Sequence, residues 1–293
     1  MNKLRRPAWL GKDGAAAWLF LAPSAAGFLL FYILPFGMGL LYSFTDSTIG
    51  GQFVGFDNYA ALLASRSFHK AALNTLFFTG VSVPLLVLLS LSLAMLLNRQ
   101  LMLRKWLQTS FILPLVVPVA SIIMVWQIFF DWNGAVNAWW NSHYGKRIDW
   151  LQSDGAMGVL AVLYIWKNIG YDMILFLAGL QSIPVSYYET ARIEGAGRLR
   201  QLYHITLVYS TPTMVFVVLI SILNSFKVFR ETYLLAGDYP YDRIYMLQHY
   251  MNNMFFTLDI QKLTAAATLM VVCILSLVFV LLAVERRFQS FME

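Results

Sequence analysis

The chain alternates long apolar runs with short polar segments. A helix needs about 20 apolar residues to cross the hydrocarbon core of a bilayer. Six runs reach that length, and none is a strict repeat of another. They lie at 17–41, 74–97, 107–130, 156–180, 211–235 and 263–284. The pattern therefore predicts an all-α integral membrane protein with six transmembrane helices.

The composition agrees with a membrane protein and excludes several other classes. Only 12% of the residues are charged, about half the share of a typical soluble domain. The net charge of +6 does not indicate a nucleic-acid-binding protein, because the basic residues flank apolar runs and form no stripe. The first run resembles a signal peptide, but it is too long and no cleavage site follows it. We therefore expect it to be retained as a helix.

Lysine and arginine residues predict the orientation of the chain in the membrane. Twelve of them lie before the first span, between spans two and three, between spans four and five, and after span six. Six lie in the intervening loops on the opposite side. Because cytosolic segments are enriched in basic residues, the side with twelve is predicted to be cytosolic, and both termini with it.

Several polar side chains lie inside the predicted spans, where ionisable groups are costly and face a bundle interior or a wet cavity. Interhelical hydrogen bonds and ion pairs are one interpretation. Lys167 is expected to pair with Asp172 or with another helix, and Lys227 with Glu231 at i,i+4. The other interpretation is a path for a polar, uncharged solute, although convergence of Lys167, Lys227 and Arg230 would favour an anion. The candidate path residues are Asn168, Tyr171, Gln127, Asn224 and Lys227.

Prolines within the first and third spans predict local bends. Pro23 and Pro35 lie in the first span, and Pro114 and Pro118 lie in the third. Proline removes a backbone hydrogen bond and permits a kink. The bends suit either a gating motion or a static kinked helix.

No motif of an intramembrane enzyme or of an ATPase occurs in the sequence. We find no His-Glu-x-x-His, no Gly-x-Ser-x-Gly and no G-x-x-x-x-G-K-[ST] phosphate loop. The one cysteine, Cys273, cannot form an internal disulfide. We therefore predict no catalytic residues and no metal site.

The loop at 184–210, between spans four and five, has the signals of a short exposed helix. Ser186 and Glu189 have capping-box spacing, which predicts a helix from about Tyr187 to Glu194. Gly195 and Gly197 are expected to end it. The small side chain of Ala191 would let another surface approach closely. The segment is interpreted as a rigid docking element or as an ordinary interfacial helix.

The same loop resembles the "EAA" signature of permease subunits of bacterial ABC importers. The matching residues are Glu189, Thr190, Ala191, Gly195, Ile205 and Leu207. Thr190 stands where the family has alanine, and Val208 stands where it has the final proline. Further stretches are similar to the carbohydrate-uptake branch of the family: FVGFDNYAALL at 53–63, NTLFFT at 74–79, FLAGLQSIP at 176–184 and NSFKVF at 224–229.

The resemblance implies a type I ABC importer permease fold with a cytosolic coupling helix between spans four and five. It implies a cytosolic tail at 1–16, a first helix at 17–41, an extracellular loop at 42–73, a permease core at 74–285 and a cytosolic tail at 286–293. The six signature residues would couple the chain to an ATPase. A sugar or oligosaccharide is the implied cargo, with glycerol phosphate or another small solute as an alternative.

The resemblance also implies a set of partners in a bacterial plasma membrane. These are a second permease subunit, two cytosolic ABC ATPases, membrane lipid, and a solute-binding protein that is lipid-anchored or periplasmic. ATP and Mg would be bound by the ATPases, and this chain would hold no cofactor. An alternative of a different class is a self-sufficient channel or secondary transporter, with Lys167 and Asp172 as an ion relay. The inverted repeat common in such transporters is not seen.

Overall fold

The computed structural model describes residues 12–99 and 102–289, with side chains described for 17–99 and 102–287. Regular structure in these ranges is helical apart from one isolated bridge between Thr45 and Phe53. The α-helices are α1 Lys12–Phe28, α2 Leu34–Tyr42, α3 Asp57–Ala64, α4 Arg66–Leu97, α5 Arg104–Val116, α6 Val119–Phe130, α7 Ala135–Tyr144, α8 Ala156–Gln181, α9 Val185–Ile193, α10 Arg198–Gln201, α11 Leu207–Tyr209, α12 Thr211–Phe226, α13 Phe229–Ala236, α14 Leu247–Phe256 and α15 Ile260–Gln289.

Six helical stretches of the described chain are long and apolar enough to cross a membrane, which confirms the predicted all-α fold with six candidate spans. They are Ala17–Tyr42, Arg66–Leu97, Val119–Tyr144, Ala156–Gln181, Thr211–Ala236 and Ile260–Arg287. The second begins eight residues before its predicted start at residue 74. The sixth begins at Ile260, three residues before its predicted start.

The third predicted span, 107–130, is not a single helix. α5 ends at Val116 and α6 begins at Val119. Val117 has the extended conformation, with φ −67° and ψ 136°, because a residue before proline is disfavoured in the helical region. Pro118 therefore ends one helix and starts another. After a turn at 131–134, α6 is followed by α7, and the third apolar stretch of the structure extends to Tyr144.

The first span contains a π-helical turn at Leu29–Ile33, which ends two residues before Pro35. Proline cannot donate a backbone hydrogen bond and clashes with the carbonyl four residues earlier. The wider turn accommodates this defect, as π-turns commonly do within α-helices. The expected bend at Pro35 thus takes the form of a local change in helix type.

The described residues divide into two compact units, one formed by residues 12–64 and 254–269 and the other by residues 65–99, 102–253 and 270–289. In the first unit, the hydroxyl groups of Ser43 and Tyr59 lie 2.7 Å apart in a buried hydrogen bond. Phe44 packs beside Tyr59, with ring centroids 5.3 Å apart. These contacts hold α3 against the end of the first span.

In the second unit, α4, α5 and α12 pack against α8, and two glycines permit the closest approaches. A Cβ atom on Gly170 would lie 1.9 Å from the Phe111 carbonyl oxygen of α5. A Cβ on Gly179 would lie 2.4 Å from Thr213 Oγ1 of α12. Small residues at such positions let membrane helices pack backbone to backbone. Because α4, α5 and α12 all pack against it, α8 is the central helix of this unit.

Candidate functional site

The fifth span is interrupted beside a group of polar residues. α12 ends at Phe226 and α13 begins at Phe229, so Lys227 and Val228 separate two helices. The Lys227 amide donates to the Asn224 carbonyl at 3.0 Å. Irregular backbone at membrane depth is tolerated where it is buried in protein or lines a cavity. The interruption therefore marks this part of the fifth span as a candidate site.

A polar cavity of about 180 Å³ lies at this interruption, and we call it the span-five cavity. Its lining residues come from α5, α8, and the end of α12 with the start of α13: Leu115, Tyr164, Lys167, Asn168, Asn224, Lys227, Val228, Arg230 and Glu231. Three of the predicted path residues, Asn168, Asn224 and Lys227, are thus brought together. Tyr171 and Gln127 do not line this cavity.

One wall of the span-five cavity is formed by an ion pair between Lys167 of α8 and Glu231 of α13. This is the alternative in which Lys167 pairs with another helix. The predicted pair between Lys227 and Glu231 is wrong, since Lys227 has no carboxylate within salt-bridging distance in the described part of the chain. Lys227 closes α12 and Glu231 lies in α13, so they do not share one helix face.

A buried hydrogen-bond network lies next to the cavity. The Asp172 carboxylate accepts from Ser221 Oγ at 2.7 Å. Tyr164 Oη donates to the Ser221 carbonyl at 2.6 Å, and Asn168 Nδ2 donates to the Tyr164 carbonyl at 2.8 Å. Ser221 lies in α12, so the bonds from Tyr164 and to Asp172 fasten α8 to α12, whereas the Asn168 bond lies within α8. Asp172, which is 1% exposed, therefore has a structural partner and does not pair with Lys167.

Gln127 makes a contact that the sequence did not predict. Its Nε2 donates to the carbonyl oxygens of Leu234 and Leu235 at 3.1 and 3.3 Å. These bonds join α6 to the end of α13. The role of Gln127 as a path residue stays a prediction, as does that of the exposed Tyr171.

The loop between spans four and five forms the predicted short helix, but its start differs. α9 begins at Val185, with Pro184 as the N-cap and no side-chain capping bond. The predicted capping box of Ser186 and Glu189 is therefore wrong. Ser186 lies inside the first turn, because the fixed φ of Pro184 lets the helix start directly after it. Helix formation here does not depend on a serine cap.

The end of α9 is a Schellman motif. Gly195 has φ +79°, and its amide donates to the Arg192 carbonyl at 3.0 Å. The Ala196 amide donates to the Ala191 carbonyl at 2.8 Å. This pair of bonds satisfies the last carbonyls of the helix. Gly195 thus ends α9 as predicted, whereas Gly197 does not, since it caps the start of α10.

The signature residues divide into an exposed part and an anchored part. Glu189, Thr190 and Gly195 are exposed, and Ala191 is half-buried. Ile205 and Leu207 pack against a buried cluster formed by α4, α8 and α12. The segment therefore presents α9 outward while its second half is fixed to the core of the unit.

Two tyrosines that the sequence analysis did not single out connect α9 to the chain at residues 206–209, beyond α10. Tyr188 Oη lies 3.1 Å from Thr206 Oγ1, and Tyr188 packs against the same buried cluster as Ile205. The Tyr187 ring stacks on Tyr209 with centroids 4.9 Å apart. Both tyrosines precede Glu189 in an otherwise polar helix. A side chain with an apolar ring and a polar tip is suited to anchor such a helix, and this signal could have identified them in the sequence. They make α9 a rigid extension of the core.

Comparison with known proteins shows that the chain is similar to transport proteins. A model of the binding-protein-dependent transport system inner membrane component matches residues 86–292. A probable starch degradation products transport permease of Thermoanaerobacterium thermosulfurigenes is 27% identical, over 95% of this chain and 97% of the relative. The trehalose/maltose transport permease of Thermococcus litoralis is 30% identical, over 78% and 79%.

A solved structure has the same fold along nearly the whole chain. It is a bacterial alginate ABC transporter in complex with an alginate pentasaccharide-bound periplasmic protein. The match has a TM-score of 0.80 and 26% identity, and it covers 95% of this chain and 98% of that one. With the six apolar helices and the matched family model, this chain belongs to the inner membrane components of binding-protein-dependent transport systems.

Proposed function

We propose that this chain is a transmembrane subunit of an ATP-driven importer that takes up a sugar or oligosaccharide. The family match over residues 86–292 carries this conclusion. The relatives described above transport starch degradation products, trehalose/maltose and alginate. All of these are carbohydrates, which supports a carbohydrate cargo over glycerol phosphate. A periplasmic protein binds to the alginate transporter, so a solute-binding protein is the proposed donor of the cargo.

We assign coupling to the ATPase to the exposed face of α9. Glu189, Thr190, Ala191 and Gly195 would enter a cleft in an ATPase subunit, which binds ATP and Mg. Ile205 and Leu207 would transmit the movement, because they are packed into the core of the unit. Binding can shift a conformational equilibrium only through differential affinity for its two states. Because α9 is held rigidly against the core of the unit, a movement of the ATPase that displaces α9 would also displace the spans.

The proposed orientation places α9 and both termini in the cytosol of a bacterial cell. The distribution of twelve basic residues on that side and six on the other supports it. The proposed assembly contains a second permease subunit and two ATPase subunits. It leaves the loops around α3 and α7 facing the solute-binding protein.

Co-purification tests the proposed assembly. The tagged chain is extracted from native membranes in a mild detergent, and its partners are identified by mass spectrometry. We expect an ATPase subunit and a second six-span permease. A chain that is recovered alone, as a stable homo-oligomer, would contradict the proposal and favour a self-sufficient channel or secondary transporter.

A further inference from the structure

The span-five cavity has an excess of positive charge on its walls. Three of its lining residues are basic and one is acidic. Lys167 and Glu231 neutralise each other in their ion pair. Lys227 and Arg230 are exposed, and neither lies within salt-bridging distance of a carboxylate in the described part of the chain. Lys227 and Arg230 therefore border the cavity without an ion-pair partner among the described residues, and the carboxylate next to the cavity, Asp172, is bonded to Ser221.

The position of these two charges makes an anion the favourable occupant. Both lie within a membrane-spanning segment, where ionisable groups are costly and mark solute paths. Lys227 closes α12, and Arg230 lies in the first turn of α13. An arginine guanidinium also presents a planar fork of donors that fits carboxylate, sulfonate or phosphate oxygens.

The rest of the lining suits a carbohydrate. The amide groups of Asn168 and Asn224 line the same cavity, and amides donate to and accept from sugar hydroxyl groups. The cavity volume of about 180 Å³ is below the roughly 300–1,000 Å³ of pockets that enclose a whole small ligand. It is therefore too small to enclose a complete oligosaccharide, so only part of the cargo would occupy it at one time.

We propose that the cargo is an acidic carbohydrate, bearing a carboxylate, sulfonate or phosphate group, and that Lys227 and Arg230 contact this group during passage. The inference rests on the proposed importer function. It replaces the uncharged solute expected from the sequence, because the structure brings Lys167, Lys227 and Arg230 to one cavity and neutralises only Lys167.

Uptake by the intact importer complex in proteoliposomes tests the charge of the cargo. The probes are labelled di- and trisaccharides in matched pairs, with glucuronate-, galacturonate-, sulfonate- and phosphate-bearing sugars against their neutral counterparts. We expect ATP-dependent uptake of at least one acidic probe to exceed that of its neutral counterpart at least tenfold. ATP-dependent uptake of neutral probes alone overturns this inference and leaves the proposed function standing. No ATP-dependent uptake of any probe overturns both.

Variants then test the two residues. Lys227→Gln and Arg230→Gln are each expected to raise the KM for the acidic probe at least tenfold, while Lys227→Arg retains low KM. Arg66→Gln is the matched control, because it removes one exposed positive charge outside the cavity. If the lysine and arginine only reach toward lipid headgroups, both glutamine variants will transport the acidic probe with the wild-type KM, and the inference is wrong.

Discussion

Lys167 of α8 and Glu231 of α13 form an ion pair that joins two membrane-spanning stretches separated by 64 residues in sequence. Their side chains are only 16% and 11% exposed. Loss of one partner would leave an uncompensated charge in a poorly solvated site, whereas loss of both would leave none. The pair fixes the start of α13 against the central helix, beside the span-five cavity.

The single variant Lys167→Met is expected to lower the free energy of unfolding by about 3 kcal/mol, because removing one partner of a buried pair is strongly destabilising. The double variant Lys167→Met with Glu231→Leu should regain most of that loss. Lys70→Met is the control, since Lys70 and Asp242 form an exposed pair at 2.8 Å worth about 1 kcal/mol or less. SDS titration of the purified chain in mixed micelles measures all three. Equal decreases in the free energy of unfolding for Lys167→Met and Lys70→Met would show that the pair of Lys167 and Glu231 stabilises the protein no more than an exposed pair does.

The apolar runs predicted the six spans because the bilayer requires a minimum length of apolar helix. They did not reveal the division of 107–130 into α5 and α6, since Pro118 is compatible with either a kink or a break. The spacing of Lys227 and Glu231 predicted an ion pair only on the assumption of a continuous helix. Their actual separation by the interruption at Lys227–Val228 depends on tertiary packing against α8.

The exposed signature of α9 was predicted more completely than the cavity. Gly195 was identified correctly because a left-handed residue at a helix end strongly favours glycine. The capping box failed because Pro184 allows an earlier start. The anchoring role of Tyr188 depends on the return of the chain at Thr206, which local sequence spacing does not encode. Asn168, Asn224 and Lys227 were recognised as polar residues within the spans. Their convergence on one cavity could not be predicted, because local sequence spacing does not encode contacts between helices.

Gly170→Ala is expected to destabilise the second unit by about 1–3 kcal/mol or more, the usual cost of overpacking. Its new Cβ would lie 1.9 Å from the Phe111 carbonyl oxygen, so α5 and α8 would have to separate. Gly158→Ala on the same helix is the control, because no described atom outside its own helix lies within 4 Å of the new Cβ. That control should be neutral or more stable by up to about 1 kcal/mol, since alanine favours helix. Equal stability of the two variants in SDS titration would rule out the close α5–α8 contact.

Gly195→Val is expected to reduce uptake at least tenfold while the importer complex still assembles and hydrolyses ATP. Valine at φ +79° is strained by at least about 1–2 kcal/mol, which would open the Schellman end of α9 and loosen the link between the ATPase and the spans. Gly197→Ala is the matched control, because Gly197 has φ −68° and space for a Cβ. Uptake and ATP hydrolysis are measured on the same proteoliposomes. Wild-type uptake by an assembled Gly195→Val complex would show that coupling does not depend on the conformation at the end of α9.

His249 of α14 makes stability depend on pH. It is 1% exposed, its Nε2 has no hydrogen-bond partner among the described residues, and burial lowers its pKa from 6.5 to about 4. Between these two values the unfolded chain binds a proton that the folded chain does not bind. The contribution of neutral His249 to the free energy of unfolding is therefore fully present above pH 6.5. It is lost as the pH decreases toward 4, by on the order of 3 kcal/mol.

Replacing His249 with glutamine should flatten this part of the pH profile. The measurement is thermal unfolding in detergent at pH 7.5, 6, 5 and 4, expressed as the difference between wild type and variant so that other titrating groups cancel. His143→Gln, at an exposed histidine, serves as the control and should keep the wild-type slope. A His249→Gln profile that is parallel to wild type would contradict the assignment.

ATP-dependent uptake tests the central claim most directly. The complex that co-purifies with the tagged chain is reconstituted in proteoliposomes, and uptake of the labelled sugar panel is compared with Mg-ATP, with a non-hydrolysable ATP analogue, and with the chain reconstituted alone. The account predicts uptake only by the complete complex, with hydrolysable ATP and the cargo-loaded binding protein. Equal uptake by the chain alone without ATP would contradict it and identify a self-sufficient transporter.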